Sequence, residues 1–474
     1  MYTTCASPAG ARALRPLLLA LMVAGCAAVH RPPITLATLE RDAALARIAE
    51  RANVDTIVER LARRVVARGD RTLDILYLSG GGQHGAYGVG FLRGWKSRAD
   101  APLPRFEPGS DIGAQVTVLA EGTQGYLTGA AIDRFGLSGR NPQVWALGVK
   151  EVWRVPKPLR KVIHTMGWPL RGGKRYREFG GSFIYPMGED MVTLGMVVGL
   201  DYRDVSLSVH DLLQELKTHP RVRKILAGGE RTAWGAKTIP EGGFYSLPSK
   251  LHAPGLVLCG DGAGFVNVPA LKGIHYAVES GVLAAEAIAV ALRPGEAIGR
   301  AGALSGYDDA VRQSFVTTDL EAVRNMRQAF AKGFWRGSMK AGTMTMSGGR
   351  MPRKALPTEP DSEQELIRTD RGASFPAPDG KLTFDKLSSV FISGNQTRDD
   401  APSHIRVAKR VPREVAELWV NMCPAHVYEI GPHDAGKVEV LVTPSNCVQC
   451  GAITAKGGRL LPAEGGAGPE YSLT

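Results

Sequence analysis

The stretch LVLCGDGAGF, residues 256–265, constrains the fold more than any other part of this chain. An apolar run ends at Gly260, Asp261 and Gly262, and an apolar helical pattern follows over residues 276–291. A strand that stops at glycines and re-enters as a helix is the unit with which α/β proteins bring backbone close to a phosphate. Glycine permits the approach, the helix start supplies free N–H donors, and the Asp261 carboxylate can accept from a ligand hydroxyl. An unliganded strand–turn–helix carries the same letters, because Asp-Gly turns are common. A second stretch, VTVLAEGTQG over 116–125, runs a β-branched strand into a turn containing Gly122 and Gly125. Cys259, inside the first strand, reads as a small buried hydrophobe rather than a ligand.

Composition sets the outer limits. The 474 residues are 44% hydrophobic and 22% charged, which describes an ordinary globular chain of two or three domains. A net charge of +12 favours an anionic partner such as a membrane surface or an acidic protein. Arginine-rich low-complexity runs and aromatic-studded basic repeats are absent, so no nucleic acid is expected. Six cysteines in this length do not make a disulfide framework.

The N-terminus reads as a targeting segment. Arg12 and Arg15 precede PLLLALMVAGC, an apolar run too short to span a bilayer. Its ending resembles a bacterial lipoprotein signal over residues 1–26, with Cys26 the residue to be lipidated; a plain signal peptide or a short buried helix is the bland alternative. Further on, LDILYLSGGGQHGAYGVGFLRGW places Gly80, Gly82 and Gly85 in a G-x-G-x-x-G pattern. A dinucleotide fold needs a second strand ending in an acid about 20 residues later, and RADAPLPRF follows instead. Residues 27–105 resemble the start of a patatin-like phospholipase, whose glycine loop forms an oxyanion hole. Such an enzyme raises its serine in G-x-S-x-G. Here GSDIGA, residues 109–114, has Asp111 in that place, so hydrolysis has a loop and no nucleophile.

From Phe106 onward the chain changes character. FGGSFIYPMGEDMVTLGMVVGLDY, GAKTIPEGGFYSLP, CGDGAGFVNVPALKGIHYAVESGVLAAEAI, PDGKLTFDKLSSVFISGNQTRDDAPSHI and CPAHVYEI follow in order, with VTVLAEGTQG before them. This series resembles the electron-transfer flavoprotein:ubiquinone oxidoreductases. The resemblance implies FAD, a [4Fe-4S] cluster, electron-transfer flavoprotein and ubiquinone as partners, and a monotopic seat on the cytoplasmic face of the inner membrane. It also implies that Gly122, Gly125, Gly260, Asp261 and Gly262 border the FAD and that Gly180 and Gly181 line an apolar quinone pocket. Read alone, the Gly-Gly pair of REFGGSFIY is an ordinary turn breaker. The family opens with a strand–GxGxxG–helix unit, and here the phospholipase-like segment stands in its place. An exported lipoprotein is the competing localisation.

Cys447 and Cys450 in NCVQC have the spacing at which one turn offers two thiolates to one centre. A ferredoxin-type run brings another cysteine at position 453, where this chain has Ile453. By the resemblance, Cys423, followed by Pro424, is the remote ligand, and Cys423, Cys447 and Cys450 hold the metal centre. A three-cysteine iron–sulfur cluster such as [3Fe-4S], a Cys3His zinc site using His426, and an empty ferredoxin-like lobe are the alternatives.

The expected fold is therefore α/β plus α+β. It comprises an incomplete FAD-binding region with a quinone-binding sheet over residues 106–365 and a ferredoxin-like lobe over 366–474. Val323, Met326, Phe330 and Phe334 recur at helical spacing with basic residues between them, which suggests an interfacial or core-facing helix. No stretch reads as apolar over the ~20 residues of a spanning helix. A catalytically dead membrane-associated domain and a lipid-anchored hydrolase are the competing functions.

Overall fold

The computed structural model describes residues 115–188, 190–292, 302–397, 402–434, 436–461 and 468–469. The chain divides into Met1–Ile75 and Leu76–Thr474, and the described residues belong to the second unit. The expectations for Cys26, for Gly80, Gly82 and Gly85, and for Asp111 lie outside the described residues.

Strand β1 (Thr117–Leu119) lies parallel to β8 (Leu256–Leu258), and β7 (His252–Ala253) pairs antiparallel on its far side. Helix α1 (Tyr126–Phe135) leaves β1 through the glycine turn, and α3 (Ile274–Ala291) follows β8. Their core holds Val118, Leu119, Val257, Leu258, Tyr276 and Tyr307. The hydroxyl of Tyr307 donates to the carbonyl of Leu258 at 2.8 Å, and Cys259 is buried beside it as expected of a small hydrophobe.

The larger body is a five-stranded antiparallel sheet in the order β3-β4-β5-β2-β6. It comprises β2 (Trp145–Arg154), β3 (Ile163–Met166), β4 (Gly180–Pro186), β5 (Met191–Gly199) and β6 (Glu230–Pro240). Val192, Leu194, Met196 and Val198 of β5 are all buried, as suits a strand near the sheet's centre. Helix α2 (Val209–Thr218) covers the sheet with Leu212, Leu213 and Leu216. Ser208 caps it by accepting the Asp211 N–H, and Lys217 stands in its last turn. Lys217 reaches the fully buried Glu151 of β2 at 2.8 Å. Burial opposes a charge there, but Lys217 and Arg231 hold the Glu151 carboxyl below its usual pKa.

The C-terminal region forms a sheet in the order β10-β12-β11, from β10 (Arg410–Pro412), β11 (Tyr428–Asp434) and β12 (Lys437–Val442). Strands β9 (Ile405–Arg406) and β13 (Arg459–Leu460) pair separately. Helix α5 (Arg413–Met422) contributes Trp419 and Met422 to one core that continues through Leu147 and Trp234 of the large sheet. The main chain joins the two as well, since Thr238 N–H of β6 donates to the Cys450 carbonyl at 2.8 Å.

Two sequence expectations are corrected here. The residues around Val323–Phe334 do not form one amphipathic helix. Helices Phe315–Ala322 and Met326–Ala329, a 3-10 turn and α4 (Phe334–Met346) follow one another. Gly333, at φ 92°, breaks the run in a conformation costly for other residues. Second, α3 has the length and apolarity to cross a membrane, although only 22% of it is buried inside the molecule.

Candidate functional site

The N-terminal end of β4 borders a narrow, partly open cleft with an interior volume of about 30 Å³. Gly180 and Phe179 line it on one side, Phe330 and Phe334 on another, with the exposed Met166 and the buried Leu170 beside them. The rings of Phe179 and Phe330 lie 5.1 Å apart and tilted, leaving an aromatic wall against which a flat ring can stack. The floor is charged. Arg177, Glu178, Asp201 and Arg327 line it among the apolar residues. Arg327, 5% exposed, donates to Asp201 at 2.5 Å and to Glu241 at 2.9 Å. Burial opposes the Arg327 charge, but the two carboxylates outweigh it and raise its pKa. The guanidinium also sits 4.2 Å from the centre of the Phe179 ring. Asp201, Glu241 and Arg327 crowd over Gly199, where a Cβ would collide with the guanidinium.

The glycine pair has a backbone reason that sequence reasoning missed. It is no turn, since both residues are in β4, opposite Val198 and Val197 of β5. Gly180 has φ 146°, and a Cβ on it would overlap the carbonyl of Val197. A Cβ on Gly181 would overlap the carbonyl of Thr165 in β3. Gly180 borders the cleft and Gly181 does not, because Gly181 faces β3.

The two glycine turns of the first core meet. A Cβ on Gly262 would lie 3.4 Å from the Gly122 carbonyl, so Gly122 and Gly260–Gly262 form one backbone surface. Gly125 serves a different purpose. Its missing side chain admits the Glu121 carboxylate, which accepts from the N–H groups of Leu127 and Thr128 at 3.1 and 2.7 Å. That carboxylate occupies the start of α1, where an anionic ligand would otherwise bind. Asp261 likewise faces Gly273, at the start of α3. Beside these turns the amide of Gln124 is buried with both polar atoms unpartnered, which points to a ligand edge rather than to packing. The described residues thus fit a polar ligand between the turns and offer no seat for its phosphates.

Cys423, Cys447 and Cys450 line one small cavity of about 20 Å³, with Tyr428 and Ile453 among its other walls. All three are free thiols, and burial, then the neighbouring thiols, pushes Cys450 up to about 12. Among the described residues no three His, Cys, Asp or Glu side chains gather closely enough for a single metal ion. Tetrahedral zinc, with Zn–S of about 2.3 Å, requires sulfurs within ~4 Å of one another. Thiols around a cavity suit a cluster, whose irons stand at separate corners. The zinc alternative fails on its fourth ligand too: His426, at φ 52°, turns outward and bonds Glu429 at 2.9 Å. Ile453 fills the position of a further thiolate with a buried methyl group.

The cysteine loop abuts the first glycine turn. A Cβ on Gly451 would meet Thr238 Oγ1 at 2.7 Å and Gln124 Oε1 at 3.0 Å. Tyr126, pushed up to about 12 by burial and then by Cys447, Glu121 and Cys450, stands between turn and cavity.

Comparison with known proteins gives these places a common origin. Residues 145–239 match the family model described as ETF-QO, ubiquinone-binding. Residues 380–472 match that of electron transfer flavoprotein-ubiquinone oxidoreductase, 4Fe-4S. The electron transfer flavoprotein-ubiquinone oxidoreductase of Pseudomonas aeruginosa is 36% identical over 389 residues, covering 77% of this chain and 68% of that protein. The chain belongs to the electron transfer flavoprotein-ubiquinone oxidoreductase family. The mitochondrial protein of Arabidopsis thaliana is 38% identical, covering 80% of this chain and 61% of that one. The human mitochondrial protein is 36% identical, covering 78% and 63%. The chain spans between 61% and 65% of the length of the first curated relatives it matches. A solved geranylgeranyl bacteriochlorophyll reductase-like protein from Thermoplasma acidophilum is 15% identical with a TM-score of 0.37, over 55% of this chain and 57% of that one. The cleft wall at Gly180 falls inside the ubiquinone-binding match, and the three cysteines fall inside the 4Fe-4S match.

Proposed function

We propose that the chain passes electrons from reduced electron-transfer flavoprotein to ubiquinone, with FAD and an iron–sulfur cluster as cofactors. The carrying observation is the pairing of a cleft walled by Phe179 and Gly180, inside the ubiquinone-binding match, with a three-thiol cavity inside the 4Fe-4S match. The cofactors, when bound, supply the one-electron steps that connect a two-electron flavin to a quinone. Cys423, Cys447 and Cys450 hold the cluster. Their raised pKa values keep the thiols protonated until iron displaces the protons, so loading is favoured by alkaline pH. Gly122, Gly260, Asp261 and Gly262 border the flavin, Gly125 makes room for Glu121 beside it, and its phosphates lie beyond them. Phe179, Phe330 and Gly180 receive the quinone ring, and the Arg327 and Arg177 guanidinium groups stabilise charge arriving on its oxygens.

The cleft mouth rests on a membrane in this reading. Helix α4 begins at the cleft with Phe334 and exposes Trp335, Met339 and Met346, at 79%, 59% and 87%. Trp168 and Met166 add to the same apolar rim. Such a face lies in the lipid interface, from which a quinone enters directly. Residues 1–105 remain a patatin-like lipoprotein start joined to the family near residue 106, and labelled fatty acid retained on Cys26 tests the export arm. The visible and electron paramagnetic resonance spectra of anaerobically purified full-length chain test the whole. Flavin bands with a cluster signal and reduction of short-chain ubiquinone support it. A colourless protein that sediments with lipid vesicles would instead be a membrane-bound domain without catalysis.

A further inference from the structure

Two segments frame the cleft, and neither holds an acidic residue. Residues 155–177 carry seven lysines and arginines and residues 322–357 carry eight, with no aspartate or glutamate in either. Together they exceed the net charge of +12 of the whole chain, so the positive excess of the molecule sits in these two segments. The fold joins them at the cleft, which both line, and the Phe334 N–H donates to the Gly172 carbonyl at 3.3 Å. Three of the arginines are neutralised internally. Arg171 pairs with Glu178 and Asp204, Arg177 with Asp201 and Glu359, and Arg327 with Asp201 and Glu241. Lys174, Arg175, Lys332, Arg336 and Lys340 are different: they are exposed and form no ion pair among the described residues. Helix α4 mixes this charge with apolar surface. Trp335, Met339 and Met346 stand at i, i+4 and i+11 on one exposed stripe, and Arg336 and Lys340 flank it. An acidic protein would match the cations but set large apolar side chains against charged groups. A neutral bilayer would take the stripe and leave the cations without partners. Anionic headgroups over an apolar interior match both.

We propose that this rim recognises the anionic phospholipids of a bilayer. Lys174, Arg175, Lys332, Arg336 and Lys340 meet the headgroup phosphates, and Trp335, Met339 and Met346 enter the acyl boundary. The inference rests on the interfacial seat proposed above and adds lipid charge as what selects the surface. The long basic stems lie along the stripe while their heads reach the phosphates. Salt screens the charged contacts beyond about 8 Å at physiological ionic strength and leaves burial of the stripe intact. The seat therefore has two separable parts. Charge chooses the bilayer and turns the cleft towards it, and the apolar stripe sets the depth.

The test measures sedimentation of the full-length chain with vesicles of phosphatidylcholine, either alone or with a third of the lipid as phosphatidylglycerol. At low salt the anionic vesicles bind about tenfold or more tightly than the neutral ones, and the ratio shrinks as salt rises. The triple variant Lys332→Gln, Arg336→Gln, Lys340→Gln reduces that ratio, since each lost charge removes about fivefold of anionic-lipid affinity. Its binding to neutral vesicles and its near-ultraviolet dichroism stay as in wild type. Brominated phosphatidylcholine in the anionic vesicles quenches tryptophan fluorescence, and the quenched part falls in Trp335→Phe. Equal wild-type binding to both vesicles, or a ratio that the triple variant leaves unchanged, overturns the anionic recognition and leaves the interfacial seat standing. An undiminished quench in Trp335→Phe takes α4 off the bilayer and overturns the proposal too. A triple variant that keeps the ratio but loses electron uptake from reduced electron-transfer flavoprotein assigns the rim to a protein partner instead. Wild type that binds neither vesicle overturns the interfacial seat and this inference with it.

Discussion

Asp361 makes the cost of a buried carboxyl measurable at a single residue. Its native pKa is raised to about 8, while an unfolded aspartate titrates near 3.9. Between those values the native state binds the extra proton, so stability is fullest at low pH and falls as pH rises. Asn cannot ionise in either state. Asp361→Asn is therefore expected to melt close to wild type near pH 4 and above it at pH 7, the gap widening by up to ~1.4 kcal/mol per pH unit. Parallel melting curves across that range would remove the raised pKa from the account. Ile453 gives a second residue-scale expectation. With three protein thiolates the fourth iron of a cluster has no side-chain ligand, and air converts it to a three-iron form. Ile453→Cys should hold iron at about four per chain under oxygen where wild type falls to about three. Iron and sulfide analysis with electron paramagnetic resonance reads the difference. Cys447 and Cys450 were legible from spacing alone because one turn carries both. Asp201, Asp361 and Lys456 were not, since the fold joins them across long separations that no local pattern marks.

At the scale of elements, sequence reasoning found the strand–turn–helix units and misjudged why glycines recur. Gly-Gly reads locally as a breaker because its entropy cost is visible and its neighbours are not. In β4 the pair lets two adjacent strands approach, Gly180 against Val197 and Gly181 against Thr165. Gly181→Ala should therefore cost ~2–3 kcal/mol by forcing β3 away, with quinone affinity falling only through that displacement. Chemical denaturation together with quinone titration separates the two effects. An unaltered midpoint with weakened quinone binding would return Gly181 to the cleft wall. The segment from Val323 to Phe334 misled for a similar reason. Its helical spacing is real, but the fold spends Arg327 on Asp201 and Glu241 and breaks the run at Gly333.

At the scale of the whole molecule, the C-terminal lobe was expected as a separate unit from about residue 366, and its core argues that it depends on the sheet. Trp419, Met422, Tyr428 and Val390 share one hydrophobic cluster with Leu147, Leu194 and Trp234. Polar ties cross the same boundary. Arg231 donates to Ser389 at 2.8 Å, Asn421 to the Val205 carbonyl at 2.9 Å, and the Phe384 N–H to Gln214 at 2.9 Å. Cutting the chain at residue 366 exposes that apolar surface and leaves these groups to water, at ~1 kcal/mol or more for each lost bond. A domain of this size has only ~5–10 kcal/mol of stability in reserve. Residues 366–474 alone are thus expected to show no cooperative melt and no fixed near-ultraviolet dichroism without metal, while the full-length chain shows both. Iron and sulfide, binding only the assembled thiols, should recover part of the order by mass action. A sharp metal-free melt of the isolated lobe near the full-length midpoint would show that the shared core is dispensable.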